Sequence, residues 1–556
     1  MADTCLKYLL EAARGMVPAD TVFRNALIFN PFMCGWEHGD LAVKNGVVLG
    51  IGDYTGTREY DCKGLYIIPG LIDAHVHIES SLLTPREYAR LVVRHGTTTV
   101  IADPHELANV AGSRGIDFML SEREGAVIDI QYMLPSCVPA TPEDVGGAIL
   151  DASDLRQYTG RCGILGLGEM MDVPGVLAAE SPILEKIRLC PVRDGHAPLL
   201  SGSNLNAYIL AGLQSDHECT LREEAEEKLR RGMYVFIREG STERNLADLI
   251  GMVTPENVSR CCFATDDCQA DLIAMSGHID RCVRRAVECG LRPELALRMA
   301  SLSPAERFGL SDRGALTPGR RADLCIIDDI ESLRITRVFV AGDEIGEPVK
   351  AQTQPFFSPF PDTAPSREEI HVDGCGSARV IGIVPRQITT TSLRYPVFSE
   401  DIPDLGRDIL KVVVCNRYRK SACGIGLVHG FSLKRGAIAS SISHDAHNII
   451  AVGADDGEIL SAITEVIRSR GAMAAVTEES KAILPLKCGG LMSTMPYRNV
   501  VALLQDLRET TEKMGCISDP FMYLSFLALT VIPALRITTR GLFDVGESRN
   551  VPLFEE

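Results

Sequence analysis

Two histidines, His75 and His77, follow an apolar run and are separated by a single residue. Side chains two positions apart on a β-strand point to the same face, so both imidazoles would face one point. The end of a strand holds its side chains rigidly, as a metal ion requires of its ligands. Two surface histidines that share a strand by chance would give the same pattern. The interpretation as a metal site therefore depends on further candidate ligands in the chain.

Further ionisable side chains stand where later apolar runs end. They are Asp103, His105, Glu106, Glu169, Asp194, His196, Asp216, His217, Glu218, Arg238, Glu239, Asp266 and Asp267. Buried carboxylates and imidazoles cost several kcal/mol unless they are paired or bind a metal. Six such ligands with a shared carboxylate suit two divalent cations about 3.5–4 Å apart, which lower the pKa of water toward neutrality.

Several of these residues also have a purely structural interpretation. His196 follows a glycine and could cap a turn. His105 could have no role beyond a hydrogen bond to a loop. Asp266 could be the N-cap of the next helix, and Glu239 could have no role beyond an ion pair with Arg238. The set as a whole therefore indicates a metal site more strongly than any single member does.

Short apolar runs alternate with amphipathic helices between residues 66 and 310. The eight runs are 66–68, 98–102, 130–134, 164–167, 192–196, 211–216, 234–237 and 262–264. Such alternation implies parallel strands with right-handed crossovers, and eight units of this length are typical of a (β/α)8 barrel. The active sites of these barrels lie at the C-terminal ends of the strands, where the polar residues fall.

The remaining chain predicts two more domains around this α/β barrel. Residues 1–65 contain an Asn45-Gly46 hairpin signal between apolar runs, and residues 311–345 have similar short β patterns. We expect these two segments to form one small split β domain that the barrel interrupts. Residues 370–556 mix strand-like runs with amphipathic helices and predict a C-terminal α+β domain.

Composition limits the partners and the location. The net charge of −18 over 556 residues argues against nucleic acid or an anionic membrane as the main partner. No apolar run approaches the ~20 residues of a membrane helix. The 18 cysteines are scattered without a CxxC pair, and residues 1–13 lack a signal-peptide pattern. We therefore expect reduced thiols and a cytoplasmic location.

The motifs together resemble a known family. The strings PGLIDAHVH (69–77) and GRRADL (319–324) resemble signatures of the amidohydrolase superfamily. The strings IADPHE, GLGEMM, GHAPLLSG, SDHE, REGS and SHDAHN resemble, within it, the bacterial and archaeal adenine deaminase family. The resemblance extends from about residue 20 to the end of the chain and includes the C-terminal domain.

The resemblance implies a metal-dependent hydrolase with a defined ligand set. The implied ligands are His75, His77, Glu169, His196, His217 and Asp266. Glu169 would bridge two ions directly, where many relatives use a carbamylated lysine. The family implies Mn²⁺ or Fe²⁺, two ions per site, although such a ligand set does not exclude zinc.

The implied reaction converts adenine and water to hypoxanthine and ammonia, as in purine salvage. A hydroxide that bridges the metals would attack C6 of the ring. Asp266 would act as general base and then as general acid. Glu218 is the candidate donor of a proton to a ring nitrogen, with support of the metal ligands as its alternative role.

Five further residues are candidates for substrate binding: His105, Glu106, Arg238, His444 and His447. We expect the 443–448 string to fold over the barrel mouth, exclude water and contact the purine. A polar turn or a second metal site are the alternatives for it. We also expect a homo-oligomer, in the form of a homodimer.

Three other functions remain open at this point. One is a different cyclic-amide amidohydrolase, and the second is a deaminase of another aminopurine. The third is a non-catalytic assembly protein. Such a protein would be expected to have lost ligands, and here all six ligand positions are filled.

Overall fold

The computed structural model describes residues 3–141, 143–346, 353–385, 387–398, 400, 402–419 and 422–555. Within these ranges a helix, Asp3–Ala13, precedes a mixed sheet, a barrel of parallel strands and a C-terminal sheet.

The first sheet is built from chain segments that precede and follow the barrel. Its described strands are Ala19–Asn30, Gly35–Lys44, Val47–Ile51, Gly56–Asp61, Tyr66–Pro69, Leu324–Ile327, Ile335–Val340 and Asp343–Glu344. The strand after the barrel, Leu324–Ile327, pairs antiparallel with Tyr66–Pro69. Asn45 and Gly46 have φ values of 49° and 73° and join two antiparallel strands, which confirms the predicted hairpin.

The barrel strands alternate with helices along the chain. In chain order, the described barrel strands 1 to 8 are Leu71–Val76, Thr97–Ala102, Asp129–Leu134, Ile164–Met170, Arg193–Gly195, Ser215–Asp216, Tyr234–Arg238 and Cys261–Ala264. Strands 1 to 5 form one parallel ladder and strands 6 to 8 another. A parallel bridge between Val76 and Asp266 joins strand 1 to strand 8. The Gln214 N–H donates to the Arg193 carbonyl at 3.2 Å and links strands 5 and 6.

Helices cover the outside of these strands. The described helices between strand 1 and the first-sheet strand Leu324–Ile327 are Pro85–Val92, His105–Ala111, Ser113–Arg123, Ala152–Arg156, Val173–Leu177, Ser181–Ile187, Gly202–Leu210, Arg222–Arg230, Leu246–Leu249, Ala270–Ser276, Ile279–Glu288, Pro293–Met299 and Leu302–Arg307.

The structure corrects the first predicted barrel strand. Residues 66–68 belong to the first sheet, and the barrel begins with Leu71 instead. Apolar side chains continue through both strands, so the hydrophobic pattern alone does not separate them. At Gly70 the chain passes from one sheet to the other, because its N–H bonds Asp323 while the next N–H bonds Gly96.

A C-terminal sheet and three helices follow. In spatial order its described strands are Thr390–Phe398, Cys375–Ile383, Gly424–His429, Ile409–Cys415, Ile449–Gly453, Ala437–Ser440, Ala472–Val476 and Lys481–Pro485. The helices are Asp456–Arg468, Tyr497–Lys513 and Pro520–Phe526, and a small sheet of Leu535–Thr538, Gly541–Asp544 and Arg549–Asn550 ends the fold. None of the described helices is long and apolar enough to cross a membrane.

This C-terminal part packs on the barrel through specific polar contacts. Arg508 forms an ion pair with Asp271 at 2.6 Å, and the N–H of Tyr497 donates to Glu87 at 3.0 Å. Both barrel carboxylates are buried, so these contacts fix the helix Tyr497–Lys513 against the barrel helices Pro85–Val92 and Ala270–Ser276.

One pair of cysteines corrects the expectation of reduced thiols. Cys415 and Cys423 form a disulfide with their Cα atoms 4.5 Å apart. The antiparallel pairing of Val414 with Gly424 places the two cysteines opposite each other. A search for CxxC pairs does not detect this arrangement, because the partners lie on neighbouring strands rather than in one turn.

Replacing Gly70 with alanine tests the passage between the two sheets. A Cβ atom there would lie 2.2 Å from Oγ1 of Thr98, so a buried neighbour has to move. We expect Gly70→Ala to lower the free energy of unfolding by about 1–3 kcal/mol, measured by urea denaturation.

Gly35→Ala is the matched control, because the nearest atom to its new Cβ would be 3.8 Å away. Thr98→Ala added to Gly70→Ala should recover part of the loss. Equal stability of the two single variants would contradict the steric explanation.

Candidate metal centre

The pairing of strands 1 and 8 brings three of the predicted ligands together: His75, His77 and Asp266. The N–H of Asp266 donates to the His75 carbonyl at 3.0 Å, and the N–H of His77 donates to the Asp266 carbonyl at 3.3 Å. Asp266 has a φ of 53°, a left-handed conformation that is uncommon outside glycine and typical of functional sites. Its Oδ1 lies 3.1 Å from His77 Nε2 and 3.5 Å from His75 Nε2.

The carboxylate of Glu169, at the end of strand 4, lies between two pairs of imidazoles. Its Oε1 is 3.2 Å from His77 Nε2 and 3.7 Å from His75 Nε2. Its Oε2 is 2.7 Å from His196 Nδ1 and 3.2 Å from His217 Nε2. The structure therefore brings all six predicted ligands to one place, and all are buried.

Neighbouring backbone groups orient two of these ligands. Nδ1 of His77 lies 3.0 Å from the carbonyl oxygen of Asp103, which can only accept a hydrogen bond. Nδ1 therefore carries a hydrogen, which leaves Nε2 as the atom that would ligate a metal ion. The N–H of Glu169 donates to Oδ2 of Asp103 at 3.1 Å, so Asp103, which directly follows strand 2, holds both ligands.

The charges in this centre compensate one another. Burial alone would raise the pKa of Glu169, but the imidazoles of His217 and His196 hold it well below its usual range. Burial would likewise raise the pKa of Asp266, which His75, His77 and Arg238 hold well below its usual range. Both carboxylates are therefore ionised, and cationic partners must balance their charge.

These donors fit divalent metal ions. Ligand atoms of His75, His77 and Glu169 lie within 4.8 Å of one another, as do those of Glu169, His196 and His217. Nε2 of His196 is buried without a hydrogen-bond partner among the described residues. Imidazole and carboxylate donors without thiolate suit first-row divalent metals.

Arg238 and Glu218 border the centre. Nη1 of Arg238 donates to Oε1 of Glu218 and, at 3.0 Å, to Oδ2 of Asp266. Oε1 of Glu218 is also 3.5 Å from His217 Nε2. Arg238 therefore contacts two carboxylates, and one of them is a predicted ligand.

Glu106 is another predicted substrate-binding residue, and three more of that set, His105, His444 and His447, lie close to it. His105 faces the centre, with Nδ1 3.5 Å from Oε1 of Glu169. The carboxylate of Glu106 contacts the imidazoles of His444 and His447.

Sequence analysis missed Lys228, which supports the ends of strands 5 and 6. Its fully buried Nζ donates to Asp216 Oδ2 at 2.9 Å and to the Ala197 carbonyl at 2.7 Å. These acceptors are next to His217 and His196 in the chain. The helix Arg222–Arg230 is charged along its length, so only the spacing of buried Ala225 and Lys228 on one face could have indicated this role.

Imidazole and carboxylate side chains that could hold divalent metal, gathered at the strand ends of an α/β barrel, are typical of metal-dependent hydrolases of the amidohydrolase class. Comparisons with known proteins agree with this class. The amidohydrolase family model matches residues 66–345, and the adenine deaminase C-terminal domain model matches residues 387–549.

Three relatives are similar over nearly the whole chain. Adenine deaminase of Methanoregula boonei is 61% identical over 98% of this chain and 98% of its own length. That of Methanoculleus marisnigri is 59% identical over 93% of this chain and 100% of its length. That of Desulfatibacillum aliphaticivorans is 42% identical over 98% of this chain and 99% of its length.

Among solved structures, N-acetyl-D-glucosamine-6-phosphate deacetylase from Mycobacterium smegmatis is 20% identical, with a TM-score of 0.47, and covers 59% of this chain and 100% of its own. The chain belongs to the amidohydrolase family and, within it, to the adenine deaminases. The predicted resemblance and fold class are thereby confirmed.

Replacing Glu169 with glutamine tests the shared carboxylate. The variant keeps the shape of the side chain but loses the charge that faces both imidazole pairs. We expect the affinity for divalent metal to fall at least about tenfold, measured by elemental analysis after dialysis against a chelator series.

Glu122→Gln is the matched control, because Glu122 is also buried but accepts a hydrogen bond from Thr353 instead. Equal metal retention in both variants would contradict the role of Glu169.

Proposed function

We propose that this protein hydrolyses adenine to hypoxanthine and ammonia. The observation that carries the proposal is the Glu169 carboxylate between two imidazole pairs, with Asp266 at the same centre. Membership of the adenine deaminases supports adenine as the substrate.

We propose two metal ions, Mn²⁺ or Fe²⁺, at this centre. His75, His77 and Asp266 would hold one ion and His196 and His217 the other, with Glu169 shared between them. Divalent cations bound there would supply acidity by lowering the pKa of water toward neutrality. The two oxygens of Glu169, each facing a different imidazole pair, support the shared position.

Asp266 is the proposed proton carrier. Its ionised carboxylate would accept a proton from the attacking water and pass it to the departing amine. Oδ1 faces the histidines, and Arg238 binds Oδ2, so the carboxylate is held at both oxygens.

Glu218 is the proposed donor of a proton to a ring nitrogen, which makes C6 more electrophilic. Oε1 of Glu218 also forms an ion pair with Arg238, which itself contacts Asp266. This contact therefore supports the alternative role as well, in which Glu218 holds the surroundings of His217.

The runner-up is an amidohydrolase that acts on another aminopurine or on a cyclic amide. The centre itself would activate water equally well for either reaction. The homodimer stays a prediction, as does the cytoplasmic location, which is inferred from composition.

Ammonia release from adenine by the manganese-loaded protein tests the function. Adenosine, guanine and dihydroorotate are assayed in parallel, and adenine is expected to give the highest kcat/KM. Turnover of another compound with none of adenine would favour the runner-up, and a metal-free stable protein without turnover would favour an assembly role.

Asp266→Asn and Glu218→Gln separate the two proton-transfer roles. Each is expected to lower kcat by about 10²–10⁴-fold, the range for loss of a general acid or base. Metal content is measured in both variants. A Glu218→Gln variant with normal kcat would remove the proton-donor role and leave that of Asp266 intact.

A further inference from the structure

The carboxylate of Glu106 lies between two histidines of the C-terminal domain. Nδ1 of His444 is 2.6 Å from Oε1 of Glu106, and Nε2 of His447 contacts Oε2. All three residues are at most 4% exposed, although the histidines follow Glu106 by more than 300 positions. Both oxygens of one barrel carboxylate are therefore bound by the other domain.

The hydrogen positions favour hydrogen bonds to Glu106 over a metal ion. The N–H of Ser443 points to Nδ1 of His447 at 3.4 Å, so that nitrogen accepts. Nε2 of His447 then carries the hydrogen and donates it to the carboxylate. A metal ion would instead need the lone pair of this nitrogen.

The charges of the cluster also fit a carboxylate with two donors. Burial alone would raise the pKa of Glu106, but His444 and His447 hold it well below its usual range. Burial alone would lower the pKa of His444, but Glu106 raises it to about 9. Burial lowers the pKa of His447 to about 4, so one imidazole is charged and the other neutral.

Glu106 connects these histidines to the metal centre through His105. Nε2 of His105 lies 3.5 Å from Oε1 of Glu106, and its Nδ1 lies 3.5 Å from Oε1 of Glu169. Nδ1 of His105 is buried without a hydrogen-bond partner among the described residues. This nitrogen faces the centre, where it lies 3.6 Å from Oδ1 of Asp103.

The C-terminal domain holds its two histidines firmly. The N–H of His444 donates to the Ser525 carbonyl at 3.1 Å, and its ring stacks on Phe526 with centroids 4.6 Å apart. The Tyr418 hydroxyl donates to the Ala446 carbonyl at 2.8 Å, and the Asn448 amide donates to the barrel carbonyl of Val145 at 2.9 Å. The two imidazoles therefore have fixed positions relative to the barrel.

We propose that His444 and His447 are positioning residues that fix the Glu106 carboxylate behind His105, so that the C-terminal domain completes the substrate site of the barrel. A carboxylate has about four lone-pair positions, and the imidazoles use two of them. The remaining positions hold His105 and a donor group of the purine. This inference rests on the proposed adenine deamination for its substrate, while the contact itself is independent of it.

A double-mutant cycle between Glu106 and His447 tests the proposal in the full-length, manganese-loaded protein. The variants are Glu106→Gln, His447→Ala, their combination, and His447→Gln, whose amide can still donate a hydrogen bond. We expect His447→Ala to lower kcat for adenine by about 10–100-fold with unchanged metal content. His447→Gln should recover part of this loss.

The double variant decides whether His447 acts through Glu106. If it does, Glu106→Gln with His447→Ala loses no more activity than Glu106→Gln alone. His429→Gln is the matched control and should keep full activity, because His429 lies in the same domain and its Nδ1 hydrogen-bonds the Asp408 carbonyl.

Several results would overturn the proposal. Multiplicative losses in the double variant would show that His447 acts independently of Glu106. Loss of one metal equivalent in His447→Ala alone would make the cluster a metal site instead. The same four proteins can be compared by their free energies of unfolding in urea, which needs no substrate. If the two single substitutions change this free energy additively, the contact between Glu106 and His447 is refuted.

The outcome for the proposed function remains separate. A wild-type protein that does not turn over adenine refutes the function, and the unfolding cycle still decides the contact. An active wild type with a fully active His447→Ala variant refutes only the positioning role.

Discussion

The structure depends on one buried carboxylate, that of Glu169, with an imidazole pair on each side. Three different regions of the barrel supply these imidazoles, so the centre forms only when strand 1 meets strand 8 and strands 4 to 6 lie in register. Charges of this kind are tolerated in an interior only when they compensate one another. The closed barrel and the ligand geometry are therefore one requirement, because the ring of strands sets every distance to Glu169.

Much of this centre could be predicted from the sequence, because its ligands stand in short recognisable patterns of neighbouring residues. Each ligand ends an apolar run, and parallel strands bring such ends to one edge. His75, His77 and Asp266 were therefore predictable as neighbours although they are far apart in the chain. The Asn45-Gly46 hairpin was equally local, since both turn residues need positive φ.

The remaining features depend on information that a local pattern does not contain. The run from residue 66 onward looks like one strand, and only the partners on either side of Gly70 divide it. Lys228 lies on a helix that looks solvated, and its burial follows from Asp216 in another segment. The contact of Glu106 with His444 joins two domains, so no spacing in the sequence indicates it.

The shared first sheet has a consequence for synthesis on the ribosome. Tyr66–Pro69 lies between Ala19–Asn30 and Leu324–Ile327, so its outer side has no partner until the barrel has been translated. An unpaired strand edge is a site for wrong pairing and aggregation. The nascent chain thus carries an open edge during elongation of the whole barrel, and its vulnerability ends only when Leu324–Ile327 emerges and covers it.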